Sequence, residues 1–113
     1  MNTLSTIEIR LYRTESGIVP FRHWIESIAD VRTRNIVSAR IVRLESGNFG
    51  KYRDLKQGLY ELKIEYGPGV RVYFMRDGKS LVILLSGGDK RSQFRDIAKA
   101  RRYLNDYKER HTE

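Results

Sequence analysis

Three strand signals in succession between Leu59 and Leu85 constrain this chain more than any other feature. In Leu59–Tyr66, Tyr60, Leu62, Ile64 and Tyr66 alternate with Glu61, Lys63 and Glu65. Gly67-Pro68-Gly69 punctuates the run as a turn. In Val70–Arg76, Val70, Val72 and Phe74 then alternate with Arg71, Tyr73 and Met75. Asp77-Gly78 is a tight hairpin signal. Leu81 to Leu85 is apolar at every position, which predicts a strand buried on both faces and central in its sheet. Ser86-Gly87-Gly88 is expected to break it.

The alternation also predicts sidedness. Strand side chains point to opposite faces with period two, and a slip of one residue would turn an apolar set to solvent. If both apolar sets face one core, Glu61 and Lys63 share an open face with Arg71 and Tyr73. A carboxylate, two cations and a phenol would then occupy one surface. The plainer reading of that surface is a solvated face with weak cross-strand ion pairs.

Flanking segments complete the domain. Ile7 to Arg13 alternates, with Ile7, Ile9 and Leu11 inward and Glu8, Arg10 and Tyr12 outward, as in a half-buried strand. Pro20 opens a helix whose Phe21, Trp24, Ile25 and Ile28 form one apolar stripe. Asp30 is the expected N-cap of a second helix, with Val37, Ile41 and Leu44 inward and Arg32, Arg34, Arg40 and Arg43 outward. Gly47 to Gly58 reads as a basic loop. Gln93 to Lys108 reads as a last helix with Phe94, Ile97, Ala98, Leu104 and Tyr107 inward. The order β-α-α-β-β-β-α implies one α+β domain over residues 1–113, with an antiparallel-rich sheet and helices packed mainly on one face.

Charge narrows the function. The chain has 113 residues and a net charge of +8. Val31 to Lys56 carries +5, Lys90 to Glu113 carries +4, and the remainder sums to −1. Two basic blocks suggest a polyanion partner, although solvated helix faces would look similar. Cysteine is absent, which excludes disulfides and thiolate metal sites and fits a cytoplasmic location. Met1 to Thr6 lacks a signal-peptide pattern, and no apolar run would span a bilayer.

An RNA-cleaving catalyst must accept the 2′-OH proton, stabilise the phosphorane-like transition state and protonate the leaving oxygen. His23, beside Trp24, and His111, in the tail, read as structural or solvated. Scattered histidines and unpaired carboxylates argue against zinc and two-metal sites, so no metal or cofactor is expected. Lys, Arg, Glu and Tyr remain. Arginine can clamp a phosphate, and a lysine crowded by arginines can have its pKa lowered into a useful range.

The segments Leu59-Tyr-Glu-Leu-Lys-Ile-Glu-Tyr-Gly-Pro-Gly-Val-Arg-Val-Tyr-Phe74 and Leu84-Leu-Ser-Gly-Gly-Asp-Lys-Arg-Ser-Gln93, with Pro20-Phe21-x-x-Trp24, resemble the RelE/StbE-type addiction-module killer proteins. These are HigB-like members of the RelE superfamily, and the resemblance runs from about Ile7 to Tyr107. It implies a compact RelE-like toxin of a type II toxin–antitoxin system. The expected activity is ribosome-dependent, metal-free cleavage of mRNA. The expected partner is a cognate antitoxin, often a HigA-like helix-turn-helix protein.

By motif, the resemblance implies that Arg71 contacts the scissile phosphate, that Lys63 lies near the nucleophile, and that Lys90 or Arg91 supplies a further cation. Glu61 stands where RelE has a second lysine, and would be a proton acceptor or a salt-bridge partner. Phe94 is the nearest counterpart of RelE's RNA-stacking tyrosine. Lys51, Arg53, Lys56, Arg40, Arg43 and Tyr73 are the expected RNA contacts. The alternatives are a ParE-like toxin that poisons gyrase, and a non-catalytic module that binds RNA or protein.

Overall fold

The computed structural model describes residues 6–111. Apart from Thr6, the opening stretch read above for a signal peptide lies outside them. Among the described residues the elements run β1 (Glu8–Leu11), α1 (Pro20–Ser27), α2 (Val31–Glu45), β2 (Tyr52–Asp54), β3 (Leu59–Ile64), β4 (Val70–Asp77), β5 (Leu81–Asp89), a 3₁₀ turn (Lys90–Ser92) and α3 (Gln93–Arg110). The fold is α+β, built on a five-stranded mixed sheet in the order β1-β5-β4-β3-β2. Strands β2 to β5 are antiparallel neighbours, and β1 joins β5 in parallel. No helix among the described residues is long and apolar enough to cross a membrane.

The helices start where local chemistry allows. Pro20 occupies the first turn of α1, where its missing N–H costs nothing. Asp30 caps α2, accepting from Arg32 N at 3.1 Å and Thr33 Oγ1 at 2.8 Å. These bonds, with the Arg32 charge, hold its carboxyl below the ordinary aspartate range. A cap of this kind contributes about 1 kcal/mol.

Both faces of the sheet are packed. On one face Val37 and Leu44 of α2 and Phe21 of α1 close over Leu62, Val72, Phe74, Val82 and Leu84. On the other, Ala100 and Leu104 of α3 close over Leu59, Tyr73, Met75, Ile83 and Leu85. The expectation of helices mainly on one face is therefore corrected: α3 covers the face expected to be open. The physical reason lies in the strands, because Tyr73, Met75, Ile83 and Leu85 form a second apolar surface that needs a cover.

Three further departures have local causes. The basic loop contains β2, a short edge strand paired with β3. Strand β5 runs on through Ser86, Gly87 and Gly88 instead of breaking there. A bulge accommodates this: Tyr73 pairs with Ser86 while Phe74 pairs with Leu84, leaving Leu85 as the extra residue. β4 holds the middle of the sheet and β5 lies beside it, although Val82 to Leu85 is buried on both faces as expected. In α3 the inner residues are Ala100 and Leu104, with Ile97, Tyr103 and Tyr107 at the margin, whereas Phe94 is 92% exposed. Tyr12, expected outward, is buried beneath α3, where it donates to Asp106 Oδ2 at 2.5 Å and packs against Tyr103.

Candidate functional site

The β3–β4 ladder sets the geometry. Glu61 pairs with Tyr73 and Lys63 with Arg71, so all four share the face that α3 partly covers. β2 adds Arg53 opposite Glu61, and β5 adds Ser86 opposite Tyr73 and Gly88 opposite Arg71. Two rows result. One runs Arg53, Glu61, Tyr73, Ser86; the other runs Lys63, Arg71, Gly88.

The first row is sealed beyond Arg53, which is exposed at the sheet edge. Glu61 is fully buried. It accepts from Gln93 Nε2 at 2.7 Å, and its carboxylate lies 3.1 Å from Arg53 Nη2 and 3.8 Å from Arg71 Nε. Tyr73 is also fully buried, which removes it from the surface on which it was expected to meet RNA. Burial, reinforced by the Glu61 charge, pushes its phenol far above the ordinary tyrosine range. The Tyr73 hydroxyl, Ser86 Oγ, Glu61 Oε1 and Arg71 Nε are all buried without a hydrogen-bond partner.

The second row opens to solvent at one end. A cleft of about 420 Å³ beside the β3–β4 turn is lined by Glu65, Tyr66, Gly69, Arg71 and Lys90, among others. Arg71 lies against Gly69, whose φ of +84° only glycine adopts readily, and Lys90 packs on the same residue. Asp89 builds the turn that presents Lys90, accepting from Arg91 N at 2.9 Å and Ser92 N at 3.2 Å. These bonds hold the Asp89 carboxyl below the ordinary aspartate range against the opposing effect of burial. Glu65, on the cleft wall, is ion-paired to Lys51. Arg71 and Lys90 thus share this cleft, and Lys63 stands opposite Arg71 on the neighbouring strand at the same end of the sheet. Arg91 stands just beyond them, exposed and paired with Asp89 at 3.3 Å.

The remaining expected RNA contacts are dispersed. Lys56 is exposed in the β2–β3 turn. Arg43 is exposed on α2, across the sheet from Lys63 and Arg71. Arg40 is not on an outer face: it is buried and donates to the carbonyls of Lys63 (2.8 Å), Phe49 (3.1 Å) and Lys51 (3.1 Å). Burial, with Arg43 nearby, lowers its pKa from the ordinary arginine value. The correction has a plain cause, since the segment leading into β2 and the end of β3 turn carbonyls toward Arg40, of which Lys51 O also accepts from Lys63 N at 3.0 Å. His111 stacks on Tyr107 at 4.0 Å.

Sequence reasoning missed a second and larger cleft, of about 780 Å³, between α1 and α3 at the end of β5. Its signal was the glycine pair. A Cβ at Gly87 would stand 2.3 Å from Trp24 Cε3, and one at Gly88 would stand 1.8 Å from Asp96 Oδ2. The close approach that these glycines permit is to the protein's own Trp24 and Asp96, on opposite faces of β5. Gln93, which anchors α3 to Glu61, carried no sequence signal because the pair is remote in the chain.

No protein-family model matches the chain. A Haemophilus influenzae protein, described only as an uncharacterized protein, is 42% identical over 81 residues, a stretch covering 72% of this chain and 82% of the relative. The chain belongs to the same family as that Haemophilus influenzae protein.

Proposed function

We propose that this protein is a toxin of a type II toxin–antitoxin system, a RelE/HigB-like domain that cleaves mRNA on the ribosome in the cytoplasm. The observation that carries the reading is the cleft shared by Arg71 and Lys90, with Lys63 facing Arg71 across the β3–β4 ladder. Like charges directly opposed on neighbouring strands are unfavourable for folding, so their retention is understandable where a phosphate sits between them. Arg71 binds the scissile phosphate, Lys63 accepts the proton of the 2′-OH as its oxygen bonds to phosphorus, Lys90 protonates the 5′-oxygen as its bond to phosphorus breaks, and Arg91 adds charge stabilisation. Glu61, buried and bonded to Gln93, positions Arg71 and does not exchange protons with substrate. Exposed Phe94, one turn past Arg91, offers a ring for a base to stack on. The cognate antitoxin is a HigA-like helix-turn-helix protein that covers this basic end.

The test is primer extension on a defined mRNA incubated with purified protein, with and without translating ribosomes. Cuts at A-site positions only with ribosomes, lost in Arg71→Ala, are the expected result. Absence of cuts from a protein that still arrests growth would overturn the reading in favour of a ParE-like gyrase poison. Absence of both cuts and arrest would leave a non-catalytic binding module.

A further inference from the structure

The cleft that holds Arg71 and Lys90 also carries a group of the opposite charge. Glu65 follows the last residue of β3, where the ladder ends at the Ile64–Val70 pair and Tyr66 N turns back to donate to Ile64 O at 3.1 Å. Its side chain lines the cleft and is 66% exposed. Lys51, from the segment before β2, is ion-paired to its Oε2. Oε1 has no hydrogen-bond partner among the described residues. The hydrogen bond from Lys51, with the charges of Lys51, Lys63 and Arg71, holds the carboxyl below the ordinary glutamate range. Glu65 is therefore an anion, and it can only accept hydrogen bonds.

A carboxylate beside a phosphate site works against that site, because like charges repel. Its exposed ion pair with Lys51 also does little for stability. The arrangement is accounted for if the carboxylate meets a different, uncharged part of the same ligand. At about 420 Å³ the cleft suits a single small ligand, such as one nucleotide. The rest of its wall, Tyr66 to Gly69, bears no charge.

We propose that Glu65 is a specificity-determining residue: it accepts hydrogen bonds from the base of a nucleotide whose phosphate is held by Arg71 and Lys90, and that base is guanine. The inference rests on the reading above, in which the phosphate at Arg71 belongs to RNA, and adds which base the cleft takes. Bases of unpaired RNA are read on their Watson–Crick edges. Guanine sets two donors side by side there, N1–H and N2–H, and a carboxylate can accept both. Lys51 occupies only one of the lone pairs of Oε2, so both oxygens of Glu65 remain usable. Adenine and cytosine each place one amino group beside a ring nitrogen whose lone pair repels the carboxylate. Uracil flanks its single N–H with two carbonyls and fits worst. Lys51 acts as a positioning residue that keeps a long, exposed side chain in place.

The test titrates the full chain, ¹⁵N-labelled, with each of the common ribonucleoside 3′-monophosphates. Primer extension then follows on ribosomes programmed with codons that vary every base. The guanosine nucleotide should shift the amides from Glu65 to Arg71 and that of Lys90, and should bind at least about tenfold more tightly than the uridine nucleotide. Glu65→Gln is the decisive variant. A glutamine amide both accepts and donates, which matches adenine N6–H and N1, so the preference between guanine and adenine should reverse by about tenfold in binding and in cutting. A merely structural Glu65 would instead weaken all the nucleotides alike. Equal affinity for every base, as a contact to the ribose hydroxyls would give, would overturn the proposal. So would an unchanged ranking in Glu65→Gln, or the absence of shifts at these amides. Guanine-selective binding without ribosome-dependent cuts would sink the ribonuclease reading and keep the base contact. Cuts with no base preference, unaltered in Glu65→Gln, would do the reverse.

Discussion

Lys63 and Arg71 stand directly opposite each other across the β3–β4 ladder, on the same face of the sheet. Two facing cations weaken a strand pair. Lys63→Ala should therefore leave stability within about 0.5 kcal/mol of the parent, or raise it slightly. Ribosome-dependent cleavage should fall by about 100-fold or more. Urea denaturation and primer extension on the same preparation check the two halves. A large loss of stability would show that Lys63 is structural.

Arg40 should behave in the opposite way. Its guanidinium satisfies three carbonyls around β2 and β3, so Arg40→Met leaves them buried or poorly solvated. A loss of about 3 kcal/mol is expected. The midpoint of urea unfolding should move accordingly, whereas Arg43→Met, at an exposed position, should move it little.

The first two cases show what the sequence makes legible. Period-two alternation placed Glu61, Lys63, Arg71 and Tyr73 on one face, and the ladder has them there. It could not tell an open face from one covered by a helix, because Tyr73 and Met75 suit either. It also could not show that Arg40 turns inward, since carbonyl demand arises only once β2 and β3 are in place. β2 itself was hidden by its turn. Lys56 and Gln57 both adopt positive φ, at 76° and 59°, where a hairpin would ordinarily advertise itself with asparagine or glycine. Arg101 compensates by donating to the carbonyls of Leu55 and Lys56. Helix α1 and the Asp30 cap were legible because proline and aspartate act through their immediate neighbours.

The packing of Trp24 on Gly87 gives a coupled prediction. Gly87→Ala should destabilise the fold by about 1–3 kcal/mol, because the added methyl must push the indole off the sheet. In Gly87→Ala with Trp24→Ala, part of that penalty should disappear. The coupling energy is expected to be about 1–3 kcal/mol. Additive losses in a double-mutant cycle would mean that the two residues are not in contact in solution.

Tyr12 makes stability sensitive to alkali. Its phenol is pushed up to about 12, first by burial and then by the bond to Asp106. The folded state thus holds this proton more tightly than the unfolded chain, where it leaves near pH 10. The contribution is complete below about pH 10 and is lost as pH rises toward about 12. Melting temperature should fall across that window, and the fall should be shallower in Tyr12→Phe. Asp106 has the opposite sense: Arg110, and then Tyr12, holds its carboxyl below the usual aspartate range. Its share of stability is present above the unfolded aspartate pKa and disappears as pH drops through the lower folded value.

The parallel pairing of β1 with β5 has a consequence for how the chain is made. Ile9 meets Val82, so the first strand to be synthesised waits for the last before it has a neighbour. Until then Ile7, Ile9 and Leu11 have no sheet to cover them, and the antiparallel strands β2 to β5 can form without them. Closure across such a sequence distance is slow compared with local hairpin formation. During synthesis the antiparallel strands can thus pair before β1 has its neighbour, and the five-stranded sheet can be completed only after β5 has left the ribosome.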